Sequence, residues 1–156
     1  MTPFLETRPA GPAADHARCL QETVVELIDL SLQAKQAHWN VVGPMFRPLH
    51  ELLDEFTDQY RDWYDTAAER LTAIGGAPDG RSMTVSASTP LVQLPEGQLT
   101  DTAVLAYFDE RLTMIAGRVR DRLTVLGGID LASQDVLIEI LRGLEKQVWM
   151  LRAHRA

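Results

Sequence analysis

The chain has 156 residues, of which 46% are hydrophobic and 24% are charged, and its formal net charge is -7 at pH 7. These proportions are typical of one folded globular domain and exclude a disordered chain. No apolar run approaches the roughly 18 residues that a membrane-spanning helix needs. The single cysteine, Cys19, excludes an internal disulfide and a thiolate zinc cluster. The net negative charge argues against a protein whose surface as a whole binds the phosphates of nucleic acid.

The first residues are rich in proline and glycine, and we expect a flexible tail over residues 1–13. They lack both the basic start and the apolar stretch of a secretory signal, so a cytoplasmic location is expected. Residues 14–153 are expected to form the folded domain.

Four amphipathic helices are predicted in chain order. The first runs from Asp15, the expected N-cap, to about His38, because apolar residues recur at spacings of three and four. The second is expected over residues 46–74. The third begins at Asp101, its expected N-cap, and the fourth begins near Ser133 and runs to the C-terminus. The second and the third helix are each followed by a pair of glycines that ends the helix.

A connection of roughly two dozen residues separates the second helix from the third, well above the usual two to eight between bundle helices. We expect a short helix within it near residues 89–94. Such a long crossover is found in ferritin-like bundles. The sequence, which shows no strand pattern, therefore predicts an all-α, ferritin-like four-helix bundle with a long crossover between helices 2 and 3.

The second predicted helix carries two pairs of side chains that can bind a metal. His50 and Asp54 are four residues apart, as are Asp65 and Glu69, so each pair lies on one face. At about 1.5 Å of rise per residue, Asp54 and Asp65 are roughly 16 Å apart, and the outer two ligands roughly 28 Å. One chain therefore cannot bring all four to a single ion.

A second copy of the chain resolves this separation. If the same helix packs antiparallel across a two-fold axis between Gln59 and Tyr60, position 50 faces position 69 and position 54 faces position 65. An imidazole near the end of the first helix can join them if the two helices are neighbours. Each site then takes three ligands from one subunit and two from the other. The five predicted metal ligands are His38, His50, Asp54, Asp65 and Glu69.

Imidazole nitrogen and carboxylate oxygen suit iron or another first-row divalent metal, and open coordination positions leave room for an oxidant. The alternative for each pair is a solvated polar helix face that binds nothing, and for His38 it is a core or edge histidine. The mirror spacing of the two pairs favours the metal site. No Glu-x-x-His motif is present, so a di-iron centre inside one bundle is not expected.

Two further acidic groups have weaker patterns. Asp58 and Asp62 lie nearer the two-fold axis, where they either contact further cations or are solvated. Asp130 and Asp135, with Glu139, are candidates to line an acidic entry path where several copies meet. Their alternative role is that of acids favoured at a helix start.

Several segments resemble the Dps family, the DNA-binding proteins from starved cells, which are mini-ferritins. They are KQAHW from Lys35, Gly43 with Phe46, HELLDEF from His50, DTAAER from Asp65, and LEKQVWML near the C-terminus. The resemblance implies a hollow dodecamer that oxidises Fe(II), preferably with hydrogen peroxide, and stores Fe(III) as a mineral. Such a ferroxidase has iron as its metal and suppresses radical formation from iron and peroxide.

The resemblance also assigns roles by position. The five ligands named above match the family's ligands, three from one subunit and two from its two-fold mate. Trp39 matches a tryptophan that intercepts radicals beside the site, and its alternative is a core aromatic. Lys35 matches a lysine that in some members pairs with the aspartate at the position of Asp54. Asp130 and Asp135 resemble acidic residues at the three-fold pore.

DNA binding is the point at which the chain departs from the family. Members that bind DNA often use terminal tails rich in lysine or arginine, because clustered cations give affinity for phosphate. Here the N-terminal tail has only Arg8, and the chain ends with Arg152, His154 and Arg155. We therefore do not expect DNA binding. The alternatives kept are a nucleoid-associated, DNA-compacting protein with secondary iron chemistry, and an inert cage.

Overall fold

The computed structural model describes residues 12–128 and 130–154, and its helices are α1 Pro12–Asn40, α2 Phe46–Ala73, α3 Ser82–Ser88, α4 Asp101–Leu126 and α5 Leu131–Ala153. The four long helices pack as a bundle, with α1 along α2 and α4 along α5. The predicted four-helix bundle, with its crossover between the second and third long helices, is confirmed. Within the described ranges, no helix has an 18-residue stretch apolar enough to cross a membrane.

Neither of the two N-caps predicted from the sequence, Asp15 and Asp101, is the N-cap in the structure. α1 begins at Pro12, so Asp15 lies in its first turn rather than at the N-cap. Residues 1–11 of the expected tail lie outside the described residues. Thr100 caps α4 instead of Asp101, because its hydroxyl accepts a backbone N–H of the first turn at 3.2 Å. The Asp101 carboxylate is therefore available for another contact.

A tight turn fixes where α2 begins. Asp101 Oδ2 accepts the Met45 N–H at 2.9 Å, and this bond is the main reason that the pKa of Asp101 is lowered. Gly43 lies against the same carboxylate with a φ of 128°, and a Cβ there would come within 2.7 Å of Asp101 Oδ2. Only glycine fits both the backbone conformation and the contact. The turn thereby sets the position of His50, one turn into α2.

The crossover lies along α1 and is attached to it by side-chain bonds. Gln21 Nε2 donates to the Asp79 carbonyl, and the Asp79 N–H donates to Gln21 Oε1, both at 2.8 Å. Further along α1, Gln33 Oε1 accepts the Leu94 N–H at 3.0 Å. The crossover also contributes β2 (Leu99–Thr100), which pairs in parallel with β1 (Val41–Val42). Two residues are too few to produce a strand pattern in the sequence.

The short helix of the crossover is not where it was predicted. The prediction of residues 89–94 is wrong, because α3 ends at Ser88. Thr89 precedes Pro90 and has φ -65° and ψ 133°. The residue before a proline is restricted to such extended conformations, which ends a helix there.

α2 turns its apolar stripe into the core and leaves the predicted ligands on its flank. Asp54 is partly exposed, and Asp65 and Glu69 are exposed. The buried apolar residues of α2 are Leu49, Leu52, Leu53, Phe56, Tyr60, Trp63, Ala67 and Leu71.

Candidate metal centre

His38 of α1 and His50 of α2 form a stacked pair, with ring centroids 3.6 Å apart and planes inclined by 17°. His38 Nδ1 donates to the His50 backbone carbonyl at 2.7 Å, and His50 Nδ1 donates to the His38 carbonyl at 2.8 Å. A carbonyl oxygen can only accept, so each Nδ1 carries a proton, and Nε2 is the ring nitrogen that remains available to a metal. The structure thus brings the two histidines together, as the sequence predicts.

Asp54 lies one turn beyond His50 and is ion-paired through Oδ1 with Lys35 of α1. The hydrogen bond from Lys35 is the main reason that the pKa of Asp54 is lowered, and the nearby His38 and His50 act in the same direction. The carboxylate is therefore held in its charged form by the Lys35 cation, which competes with a metal for Oδ1. The pairing that the resemblance implied is present.

Asp65 and Glu69 lie on later turns of the same continuous helix, roughly 16 Å or more from Asp54 along its axis. In the part of the chain that is described, no three His, Cys, Asp or Glu side chains form a group that could hold a metal ion. A single chain therefore carries two separate sets of candidate ligands rather than one assembled site.

Two exposed aromatic residues belong to this region: Phe46, whose ring contacts His50, and Trp39, which follows His38 in the sequence. The Phe46 ring centroid lies 5.1 Å from that of His50, and Phe46 is 45% exposed. Trp39 is 68% exposed, so it is not a core aromatic of the single chain. An apolar surface beside polar ligands is a place where a partner can bind. The contact of Phe46 with His50 was not predicted, although their spacing of four residues on one helix is a signal for it.

Comparison with known proteins places the chain in a family. A ferritin-like domain model matches residues 18–156. A DNA protection during starvation protein of Agrobacterium fabrum is 36% identical over 136 residues, which cover 86% of this chain and 84% of that relative. The chain belongs to the Dps family.

Two further comparisons qualify and extend this result. DNA protection during starvation protein 2 of Deinococcus radiodurans is 35% identical over 150 residues, and the match covers 94% of this chain but 62% of that longer protein. The structure of Dps from Microbacterium arborescens in the high iron form has a TM-score of 0.87 and 34% identity, and the match covers 98% of both chains. The ferritin-like fold predicted from the sequence is thereby confirmed.

Asp130, a predicted pore residue by its resemblance to Dps proteins, has a structural role at the start of α5. Its Oδ1 accepts from Arg70 Nη2 at 2.8 Å and from the Ser133 N–H at 3.0 Å, so it is the N-cap, and α5 begins at Leu131 rather than near Ser133. Burial alone would raise the pKa of Asp130, but its bonds to Ser133 and Arg70 lower it. These contacts favour the helix-start role, and Asp135 is exposed. The pore role of both residues stays a prediction.

Replacing Asp130 with alanine should destabilise the fold by about 1–2 kcal/mol at neutral pH, because the N-cap and the Arg70 ion pair are lost together. Since the pKa of Asp130 is lowered on folding, this stabilisation exists above the unfolded pKa of about 3.9 and is lost as the pH falls through the folded value. Urea unfolding of the wild type and of the variant, at neutral pH and near pH 3, measures the difference in their free energies of unfolding. The exposed neighbour Asp135→Ala is the control, and an equal loss at both pH values would contradict the prediction.

Proposed function

We propose that this Dps protein is a ferroxidase that oxidises Fe(II), preferably with hydrogen peroxide, at sites shared by two copies of the chain. The Fe(III) is stored inside a hollow oligomer in the cytoplasm, which protects the cell from oxidative damage. Family membership supports the broader function in iron oxidation and storage. The observation that carries the proposal is the histidine pair held by its two reciprocal hydrogen bonds, which leaves both Nε2 atoms available beside Asp54.

The remaining ligands come from the second copy in this proposal. With α2 antiparallel about the point between Gln59 and Tyr60, Asp54 faces the partner's Asp65 and His50 faces the partner's Glu69. Two facing carboxylates repel each other unless a cation lies between them. A metal ion between the two carboxylates therefore stabilises this arrangement. The partner also covers the exposed aromatic side chains beside the histidines. Repeating such dimers gives the proposed dodecamer.

The ligand set fits the chemistry of the iron substrate. Neutral imidazoles and charged carboxylates bind a first-row divalent ion, and the carboxylates also suit the harder Fe(III) product. Two Fe(II) ions each lose one electron, and one hydrogen peroxide takes both electrons and two protons to give two water molecules. Paired oxidation of this kind releases no hydroxyl radical. In this proposal Trp39, next to His38 in sequence, intercepts a radical that does form.

The test is the rate at which Fe(III) absorbance appears when peroxide is added to anaerobic protein loaded with Fe(II). The His50→Ala, Asp65→Ala double variant should fall to the uncatalysed rate, because each shared site loses a ligand from both chains. Glu55→Ala is the matched control, since Glu55 is an exposed acid of α2 that is not among the ligands. A double variant as fast as wild type would refute the site.

The described part of the C-terminus gives no support to DNA binding as a second function. Arg152, one of the cations near the C-terminus, donates through Nε to Asp109 at 2.8 Å and through Nη2 to Thr113 at 3.2 Å. Its charge is already compensated within the chain, while Arg8 and Arg155 lie outside the described residues. We therefore leave DNA binding out of the proposal.

A further inference from the structure

Asp58 and Arg61 lie next to the point between Gln59 and Tyr60, on the face of α2 that carries the proposed ligands. Arg61 Nη1 lies 3.5 Å from Asp58 Oδ1, and the two side chains are 53% and 75% exposed, respectively. An ion pair this exposed contributes little to the stability of one chain. Both side chains can therefore change partners with little loss to the fold.

The two residues are equidistant from that point, each about 2 Å from it along the helix axis. In the antiparallel arrangement, Asp58 faces the partner's Arg61, and Arg61 faces the partner's Asp58. Packed helices lie about 8–10 Å apart, a distance that an arginine and an aspartate reaching from opposite sides can span. We propose that these four side chains form a closed ring of ion pairs on the two-fold axis. The ring recognises a second copy of this chain as the partner of α2.

Among the exposed charged residues of this face, Asp58 and Arg61 are the pair whose charges are complementary across the axis, whereas the facing carboxylates of Asp54 and Asp65 repel each other. Each of the other exposed acids lies opposite a position whose residue carries no charge. The residues opposite Glu51, Glu55 and Asp62 are the partner's Ala68, Tyr64 and Thr57, respectively. Because the remaining charges of the face are mainly acidic, two copies repel each other unless something offsets that charge. The ring supplies this attraction before any metal binds, and it fixes the register that brings position 54 opposite position 65.

The inference rests on the two-fold arrangement of the proposed function, but it concerns recognition between chains and not oxidation. The test therefore uses full-length, metal-free protein in the presence of a chelator. The single variants Asp58→Arg and Arg61→Asp place four cations or four carboxylates at the axis. Each should associate at least about tenfold more weakly than wild type in sedimentation velocity, because facing like charges oppose docking.

Mixing the two variants should restore association, since the cations of one chain then face the carboxylates of the other. A tagged Asp58→Arg chain should retain an untagged Arg61→Asp chain during purification. Within its own chain, each variant carries like charges at positions 58 and 61. An effect confined to one chain therefore cannot produce the recovery.

The matched control is the Arg47 and Glu51 pair, which is also exposed on α2 and joined at 2.9 Å. Positions 72 and 68 face it across the axis, and both are uncharged. Arg47→Glu and Glu51→Arg should associate like wild type, alone or mixed. The ring is refuted if wild type does not associate without metal, if Asp58→Arg and Arg61→Asp associate normally, or if the folded variants fail to recover on mixing. Oxidation of Fe(II) that depends on His50 would then still support the proposed function.

Discussion

Mixing two inactive variants, His50→Ala and Asp65→Ala, should restore oxidation of Fe(II). In each pure dimer, both sites lack one ligand. In a mixed dimer, one site lacks both His50 and Asp65. The other site takes an intact His50 from one chain and an intact Asp65 from its partner. Recovery follows only if a single site draws its ligands from two chains.

The size of the recovery can be predicted. After random exchange of subunits, half of the dimers are mixed and half of their sites are intact, so about a quarter of the wild-type rate is expected. The measurement is the initial peroxide-dependent rate after equimolar chains are unfolded and refolded together. His50→Ala mixed with His38→Ala is the control, because both ligands belong to the same chain and no intact site forms. Recovery in the control, or none in the test mixture, would show that the ligands are not shared as proposed.

The helices could be predicted from the sequence because their apolar residues repeat with the helical period. The helix ends were less predictable, since several neighbouring residues can serve as caps. Thr100 and Asp101 are both good N-cap residues, and only the contact of Asp101 with Met45 shows why the threonine caps α4. The position of α3 could have been predicted more accurately, because Thr89 precedes Pro90 and is therefore disfavoured in a helix.

The candidate ligands on α2 could be predicted because a helix converts residue spacing directly into distance. The histidine pair needed more than spacing. Its reciprocal hydrogen bonds require the end of α1 to lie at a particular position along the axis of α2. That axial position depends on the turn in which Asp101 accepts a hydrogen bond from the Met45 N–H. A sequence pattern does not specify such an offset between two helices.

A buried ion-pair network between α1 and α4 was also missed, although its signal was present. Glu22 and Glu26 are four residues apart on one predicted helix, and Arg118 and Arg122 are four apart on another. Complementary pairs at matching spacings fit each other when two helices pack. The sequence alone did not show that these two helices are neighbours.

Arg122 is the centre of that network. It is 4% exposed, and its Nη1 and Nη2 each donate to a carboxylate oxygen of Glu26 at 2.6 Å. Its Nε donates to Glu22 at 3.2 Å. Burial alone would lower the pKa of Arg122, but the hydrogen bonds and charge of Glu26 raise it. Arg122 therefore keeps its charge in the interior, where the bonds from its guanidinium to Glu26 replace the solvation it has lost.

Replacing Arg122 with methionine should lower the free energy of unfolding by about 3 kcal/mol, because the Glu26 carboxylate, 1% exposed, loses its main partner. This is the low end of the usual range for a broken buried pair, since Arg118 also donates to Glu26. The melting temperature should fall by roughly 6–12 °C in a domain of this size. Calorimetry at one fixed protein concentration measures it, because association also shifts the melting temperature.

Replacing both partners distinguishes a buried charge from lost packing. The double variant Arg122→Met, Glu26→Gln should be more stable than Arg122→Met alone, since it leaves no uncompensated carboxylate in the interior. The control is Arg120→Met, which removes an ion pair that is about half exposed and should have a much smaller effect. If the double variant is no more stable than Arg122→Met, the loss comes from the packing of the arginine stem and not from the isolated charge of Glu26.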